Sequence, residues 1–315
     1  MNSRVRCGMV FLLAAGTLLG QVTVETVFEH EQYLANERMR VGVRITNFSG
    51  QTLRLGASPD WLDLLVETEN GGLVSQRSAP PIVEPFEVPS SSRATRWVDL
   101  IPHYEVGHVG QYRVTPTVRL AELGQTVTGK PASVQVTGGA RIWEQDFGVR
   151  LDSGDGAFEV RRYALIQAMN QKKVTLYVRV CDQQEARVFN VIPIGPVLAF
   201  SRPEAQVDHS GLLHILSQTS ARQFTYCVIS PNGELTLRQA HRYTNSRPAL
   251  RATEDGSVTV RGGIRYIAAS DVPPPAKESV EPSATPPSAT PPAPVEKKPD
   301  SNAKENTKKK PKPKK

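Results

Sequence analysis

The chain has 315 residues, 39% of them hydrophobic, and a formal net charge of +7, a length that suits one or two globular domains. The charge is uneven. Residues 297–315 contain nine lysines and two acids, which give a net charge of +7, and Arg4 and Arg6 contribute a further +2. Residues 21–296 therefore carry a net charge of −2. A folded body with that balance lacks the basic character of nucleic-acid-binding folds, so we expect no sequence-specific nucleic-acid recognition.

Residues 1–20 have the pattern of a signal peptide. Arg4 and Arg6 precede an apolar run over 9–19, which is well short of the roughly 20 residues that span a bilayer. Short apolar runs behind positive residues are typical of export signals, and cleavage is expected near Gly20; a buried N-terminal helix is the alternative. We therefore predict an exported protein, periplasmic or extracellular and associated with the cell envelope, whose mature chain has no transmembrane segment.

Residues 21–137 consist of short apolar alternations separated by turn residues. Val41, Val43 and Ile45 alternate with Gly42 and Arg44 in one of them, a period of two that predicts a half-buried strand. No helical period of useful length appears. Seven or eight short strands in this stretch are typical of a β-sandwich, so we predict an all-β fold.

The segment 110–114, GQYRV, resembles the tyrosine corner of immunoglobulin-like domains. In that family a tyrosine entering a late strand bonds its hydroxyl to the backbone a few residues upstream. The resemblance implies an immunoglobulin-like sandwich over 21–137, with Tyr112 making that bond. Val114 stands where the family usually has cysteine, so no disulfide between the sheets is implied.

A linker over 138–160 is predicted to lead into a second β region, 161–270. There SRPEA (201–205) recurs as SRPAL (246–250), 45 residues later. Units of about 40 residues with about four short strands resemble β-propeller blades. The resemblance implies two to two-and-a-half blade-like units, too few for a closed propeller. A meander sheet with fortuitous similarity is the alternative.

Two cysteines, Cys181 and Cys227, remain after removal of the signal, and both lie in strand-like runs. In an exported protein two thiols can pair, which would close a loop of about 45 residues. The alternative is a pair of buried free thiols that pack as small apolar side chains. The sequence leaves both open.

The tail, 271–315, is predicted to be disordered. Nine of the 22 residues in 273–294 are proline, which favours an extended spacer with a reach of about 70 Å. The candidate contact with an anionic envelope polymer or lipid surface is the lysine cluster at the end of the tail. Its members are Lys308, Lys309, Lys310, Lys312, Lys314 and Lys315. The alternative is a solubilising tail without a specific partner.

No catalytic, cofactor-binding or metal-binding residues are predicted. The histidines do not form a zinc pattern with cysteine, and Asp208, His209 and Ser210 are consecutive, a spacing that does not build a catalytic relay. We therefore expect a non-enzymatic binding or scaffolding protein, which can also bind a protein partner. Two alternatives stay open: an enzyme or inhibitor with a site between the β modules, and an oligomeric coat or appendage component.

Overall fold

The computed structural model of the protein describes residues 22–150, 157–170 and 172–273. Strands account for 59% of the described residues and helix for 2%, which confirms the predicted all-β class. The only helical segments among the described residues are two 3₁₀ turns, Pro59–Trp61 and Ala121–Leu123. The predicted signal peptide and nearly all of the predicted tail lie outside the described residues.

The first region contains ten strands. They are β1 (Val22–Phe28), β2 (Gln32–Leu34), β3 (Arg40–Asn47), β4 (Leu53–Leu55), β5 (Leu62–Thr68), β6 (Phe86–Val88), β7 (Ser92–Asp99), β8 (Gly110–Leu120), β9 (Gln125–Thr128) and β10 (Ala132–Thr137). The number exceeds the predicted seven or eight because β2 and β6 have only three residues each. Three residues are too few to establish an alternating pattern.

Two sheets of the first region enclose a single core. One has the order β1-β3-β7, and the other has the order β2-β10-β8-β5 with β9 also paired to β8. Val41, Val43 and Ile45 of β3 are fully buried in that core, because alternate residues of a strand face the same side. The first region is therefore a two-sheet sandwich, and its membership of the immunoglobulin-like class stays a prediction.

The hydrogen bond expected for a tyrosine corner is present at the start of β8. The Tyr112 hydroxyl donates to the carbonyl oxygen of His108 at 3.0 Å. Burial raises the pKa of Tyr112, so the hydroxyl stays protonated and remains a donor. Val114, at the position where that family usually has cysteine, is fully buried and packs in the core.

The second region contains eleven strands. They are β11 (Ala140–Arg150), β12 (Phe158–Asn170), β13 (Lys173–Asp182), β14 (Val188–Pro196), β15 (Glu204–Val207), β16 (Leu213–Gln218), β17 (Gln223–Ile229), β18 (Leu235–Arg242), β19 (Ala249–Ala252), β20 (Val258–Arg261) and β21 (Ile264–Tyr266). Strands β11 to β14 form a four-stranded antiparallel meander. Strands β15 to β18 form a second meander, which β21 extends beside β18. The hairpin β19–β20 is a separate ladder.

These sheets stack in three layers. The facing sides of the two meanders share a core that includes Tyr163, Leu176 and Ile215. The other side of the second meander packs Phe224 against Leu250 of the hairpin. The facing sides of neighbouring layers therefore bury their apolar side chains against each other.

The predicted linker differs from the structure. Within 138–160, β11 pairs with β12 from Ala140 opposite Gln167 to Arg150 opposite Phe158, so it is the edge strand of the first meander. Only Phe147 of this strand is buried, and its register shifts between Arg141 and Trp143. An edge strand with one buried side chain has no alternation of apolar and polar residues, so its sequence predicts a linker instead of a strand.

The sequence repeat corresponds to two hairpins with the same turn. In β15–β16 the Asp208 N–H donates to the Leu212 carbonyl at 3.0 Å, and in β19–β20 the Thr253 N–H donates to the Ser257 carbonyl at 2.9 Å. The glycines of both turns, Gly211 and Gly256, have φ near +78°, a backbone conformation that glycine adopts without strain. The assignment of these units to propeller blades stays a prediction.

Candidate functional site

The two regions meet through β2 and the outer face of the first meander. Leu34 packs with Ile166 and Tyr177 in a small buried cluster. The Gln32 side-chain amide donates to the carbonyl oxygen of Met169 across the same contact. A Cβ atom at Gly139 would lie 2.4 Å from Ile166, so glycine is required where the chain passes from one region to the other.

A cleft of about 440 Å³ lies beside this contact, and we call it the junction cleft. Its walls come from both regions. The first region contributes Asn36, Arg38, Arg77, Asp99, Ile101 and Pro102, and the second contributes Ala186, Val188, Phe189 and Asn190. The junction cleft therefore lies between the two β regions, which is the location expected for a site under the alternative of an enzyme or inhibitor.

The guanidinium groups of the junction cleft are largely exposed. Arg38 pairs with Asp99 at 2.9 Å, and Arg77 lies 3.7 Å from Glu105. The exposed fractions of the two arginine side chains are 70% and 55%, so water screens both pairs and each contributes little to stability. Both guanidinium groups keep donors that face solvent.

The aromatic side of the junction cleft is held by arginine stacking. The guanidinium carbon of Arg161 lies 4.0 Å from the centroid of the Phe189 ring, and that of Arg187 lies 4.6 Å from it. Arg161 is itself buried and donates to the Pro231 carbonyl oxygen at 3.1 Å and to Asn232 Oδ1 at 2.7 Å. Phe189 is thus positioned by contacts that reach across to the second meander.

A buried carboxyl group, Glu37, stabilises the turn that carries Asn36 and Arg38 into the cleft. Its Oε2 accepts the Leu34 N–H at 2.7 Å. Burial raises the pKa of Glu37 to about 7, against the lowering effect of that hydrogen bond. Asn36 has φ near +64°, a left-handed conformation that asparagine tolerates better than most residues.

A polar chain that the sequence did not predict lies inside the second meander. Asp208 Oδ2 is 3.0 Å from His214 Nε2, and His214 Nδ1 is 2.7 Å from the Tyr226 hydroxyl. Among the consecutive residues considered as a triad, His209 contacts Ser210 at 3.2 Å, but Asp208 turns inward to His214. The only signal in the sequence was the spacing of six residues across a hairpin turn, which is weak.

This chain of three polar groups is part of the interior. His214 and Tyr226 expose 6% and 7% of their surfaces, and burial raises the pKa of Tyr226 to about 12. A protonated hydroxyl in that position can bond to the histidine ring but does not act as a nucleophile at neutral pH. The arrangement fixes the β15–β16 turn to β17.

The two cysteines are both free and buried, so the structure has the second of the two alternatives and the disulfide is not formed. Cys227 lies in the core between the meanders. Cys181 follows Val180, a member of that core, and therefore faces the other side of its sheet. Thiols that face away from each other in this way do not meet disulfide geometry.

The remaining predicted site residues are not described by the structure. The lysine cluster of the tail, Lys308 to Lys315, lies outside the described residues. Within the described ranges, no group of three or more His, Cys, Asp and Glu side chains is arranged to hold a metal ion. In the same ranges, no helix combines the length and hydropathy that a membrane span needs.

Comparison with known proteins shows no family for this chain. No protein-family profile matches the chain, and no curated protein has a significantly similar sequence. Among solved structures, the sporulation control protein Spo0M from Bacillus subtilis is similar over 54% of this chain and 83% of its own, with 8% identity and a TM-score of 0.27. Similarity at that level supports no statement about fold or function.

Proposed function

We propose that the protein is an exported, non-enzymatic binding or scaffolding protein. Its two β regions form a body that offers the junction cleft to an acidic ligand or protein segment. Its lysine-rich end contacts an anionic polymer or lipid surface of the cell envelope. The observation that carries the proposal is the lining of the junction cleft, where exposed arginines of one region stand beside a fixed aromatic ring of the other.

The chemistry of the lining favours recognition of acidic groups. A guanidinium group binds a carboxylate or phosphate through two parallel hydrogen bonds, and Arg38 and Arg77 keep donors free for this. Asp99 is the one acid among the lining residues and already pairs with Arg38. The lining therefore supports binding through donors and an apolar ring better than it supports proton transfer between two acids.

The tail supports the second half of the proposal by charge and reach. The six lysines of the cluster fall within the last eight residues of the chain. The proline-rich stretch before them favours an extended spacer, so that they can touch a surface tens of ångströms from the body, on the order of 70 Å. Contacts of this kind are electrostatic and weaken with salt.

The tail contact is tested in the full chain by replacing all six lysines of the cluster with glutamine. We expect the variant to leave the envelope fraction of fractionated cells while its melting temperature stays unchanged. The control replaces Lys130 and Lys173 of the body, which should leave retention as in the original protein. Equal retention of the original and the six-lysine variant, at low and at high salt, contradicts this half of the proposal.

The cleft is tested with a defined acidic probe, a polyglutamate peptide, by calorimetry on the full chain. Arg77→Glu places a negative charge in the junction cleft and should weaken binding by about tenfold, equivalent to about 1.4 kcal/mol. Arg93→Glu, an exposed arginine of β7 outside the cleft lining, is the matched control. If both variants bind the peptide equally well, the junction cleft is not the acidic-ligand site.

A further inference from the structure

A second cleft, which the proposed function does not use, lies between the start of β11 and the loop from β14 to β15. Its volume is about 660 Å³, within the general range of small-molecule sites of roughly 300–1,000 Å³. It is lined by Arg141, Ile142, Trp143, Gln167 and the loop residues 199–203. We call it the β11 cleft.

Large apolar side chains project into this cleft and remain exposed. Phe200 exposes 85% of its surface and Ile142 exposes 40%. Ile142 is the residue at the register shift of β11, and such a bulge redirects a side chain out of the regular alternation. Trp143 is half-buried and packs against the core between the meanders, so one part of its ring system is fixed.

The loop that carries Phe200 is tied down on both sides of it. The Leu198 N–H donates to the Gln218 carbonyl at 3.0 Å, and the Ser201 N–H donates back to the Leu198 carbonyl at 2.9 Å. Ser201 is buried. Phe200 is therefore displayed to solvent from an anchored turn, and exposed apolar groups gathered in a cleft mark interaction sites.

Three polar side chains of the cleft have no hydrogen-bond or ionic partner in the described part of the chain. The groups concerned are the Arg202 guanidinium, the Trp143 indole N–H and the Gln167 side-chain amide. Arg141 differs, because it pairs with Glu185 at 2.8 Å and is also bonded to Glu144. The charge that the cleft offers a ligand is thus the positive charge of Arg202.

We infer that the β11 cleft binds an acidic polysaccharide. The C–H face of a sugar ring can pack on the Phe200 and Trp143 rings. Its hydroxyl groups can accept from the indole N–H and the Gln167 amide, and a ring carboxylate can accept from Arg202. An extended peptide fits less well, because the bulge at Ile142 interrupts the edge that a further strand would have to follow.

The test uses the full chain with the six-lysine variant of the tail as background, so that the tail does not contribute charge. Polygalacturonate is titrated into this protein, with neutral dextran of similar length as the comparison. We expect polygalacturonate to bind at least about tenfold more tightly than dextran. Phe200→Ala and Arg202→Gln should each weaken polygalacturonate binding by about tenfold, and the binding should weaken with salt.

Matched variants separate this site from the rest of the surface. Phe48, 60% exposed, and Arg93, an exposed arginine of β7 outside both clefts, lie elsewhere in the first region, so Phe48→Ala and Arg93→Gln should leave polygalacturonate affinity within about twofold. Melting curves establish that Phe200→Ala is folded, as its exposure predicts. If the experiments on the tail lysines or on Arg77 contradict the proposed function, the polygalacturonate results expected here stay the same, because neither the tail lysines nor Arg77 lines the β11 cleft.

Three results would overturn the inference. The first is polygalacturonate binding no tighter than dextran binding. The second is affinity that Phe200→Ala and Arg202→Gln leave unchanged. The third is an equal loss for polyglutamate or for a single-stranded oligonucleotide in the same two variants, which would make the cleft a general polyanion site or one for another macromolecule.

Discussion

The two β regions are stabilised in different ways. The sandwich of the first region has one continuous core of 24 buried apolar residues. The second region divides its buried apolar residues among smaller clusters of 12 and 6 between its layers, with a further cluster at the junction. A single large core can rely on apolar burial, which has no preferred direction, whereas thin layers need directional bonds to fix how they sit on one another.

Buried and half-buried polar residues of the second region supply those directional bonds. Arg161 reaches from β12 to the turn between β17 and β18, and Asn190 donates from β14 to the Gly233 carbonyl of the same turn at 2.9 Å. Arg238 of β18 donates to the Ile194 carbonyl at 2.6 Å. Hydrogen bonds between layers restrict how the layers can sit on one another and so specify a packing arrangement. Substitutions in the two regions should therefore have different costs.

The largest loss is expected in the apolar core of the sandwich. Ile45 is fully buried, and Ile45→Ala should lower the free energy of unfolding by about 4 kcal/mol, through lost burial and the cavity left behind. Urea unfolding followed by fluorescence measures this. Val83→Ala, at a position 55% exposed, should change it by less than about 0.5 kcal/mol. A loss below about 1 kcal/mol for Ile45→Ala would show that the core readily collapses around the cavity.

The next largest loss of unfolding free energy is expected for Arg161, whose hydrogen bonds connect the two meanders of the second region. Arg161→Met keeps much of the side-chain length but leaves Glu159 and the Pro231 carbonyl without their donor, at an expected cost of about 3 kcal/mol. The neighbouring substitution Arg162→Met is the control. Its ion pair with Asp146 is partly exposed, so its loss should cost less than about 1 kcal/mol. Equal effects of the two substitutions would mean that Arg161 does not hold the layers together.

A pH dependence is expected at the contact between the regions. Burial raises the pKa of Glu37 from 4.5 to about 7 in the folded protein, so the folded state holds a proton that the unfolded chain has already released between those values. The stabilisation is complete below the unfolded pKa and is lost as pH rises through the folded one. We expect unfolding free energy to fall by about 2 kcal/mol between about pH 5 and about pH 8.

Glu37→Gln should remove this slope, because glutamine does not titrate. Glu31→Gln, an exposed acid in the turn before β2, is the control and should retain it. Thermal melts across the pH range provide the measurement. An unchanged slope in Glu37→Gln would assign the effect to another group.

The smallest effect is expected in the buried polar chain. Tyr226→Phe removes the hydroxyl that lies 2.7 Å from His214 Nδ1 and leaves that nitrogen unpaired, at a cost of about 1.5 kcal/mol. Tyr243→Phe, at a position 39% exposed, should be neutral in the same urea titration. A neutral Tyr226→Phe would indicate that His214 finds another partner.

Several features of the fold could be predicted because they depend on local pattern. The alternation around Val43 identified β3, and the resemblance at 110–114 predicted the bond from Tyr112 to the nearby backbone. The repeat at 45 residues, interpreted as blade-like units, corresponds to two hairpins with one turn geometry, and the blades themselves stay a prediction. Strand β11 was missed because its one buried side chain, Phe147, leaves no alternation, and the three-residue strands β2 and β6 were too short to show one.

The sequence by itself determined the all-β class, the strand alternations of the sandwich core and the concentration of positive charge at the end of the chain, since each follows from residue type and near-neighbour spacing. Only the tertiary structure decided that Cys181 and Cys227 stay apart, that Asp208 bonds to His214 rather than to its neighbours, and that Arg77 and Phe189 line one cleft. These depend on which side of a sheet a residue faces and on how separate sheets stack. No local pattern encodes the distance between residues that lie far apart in the chain.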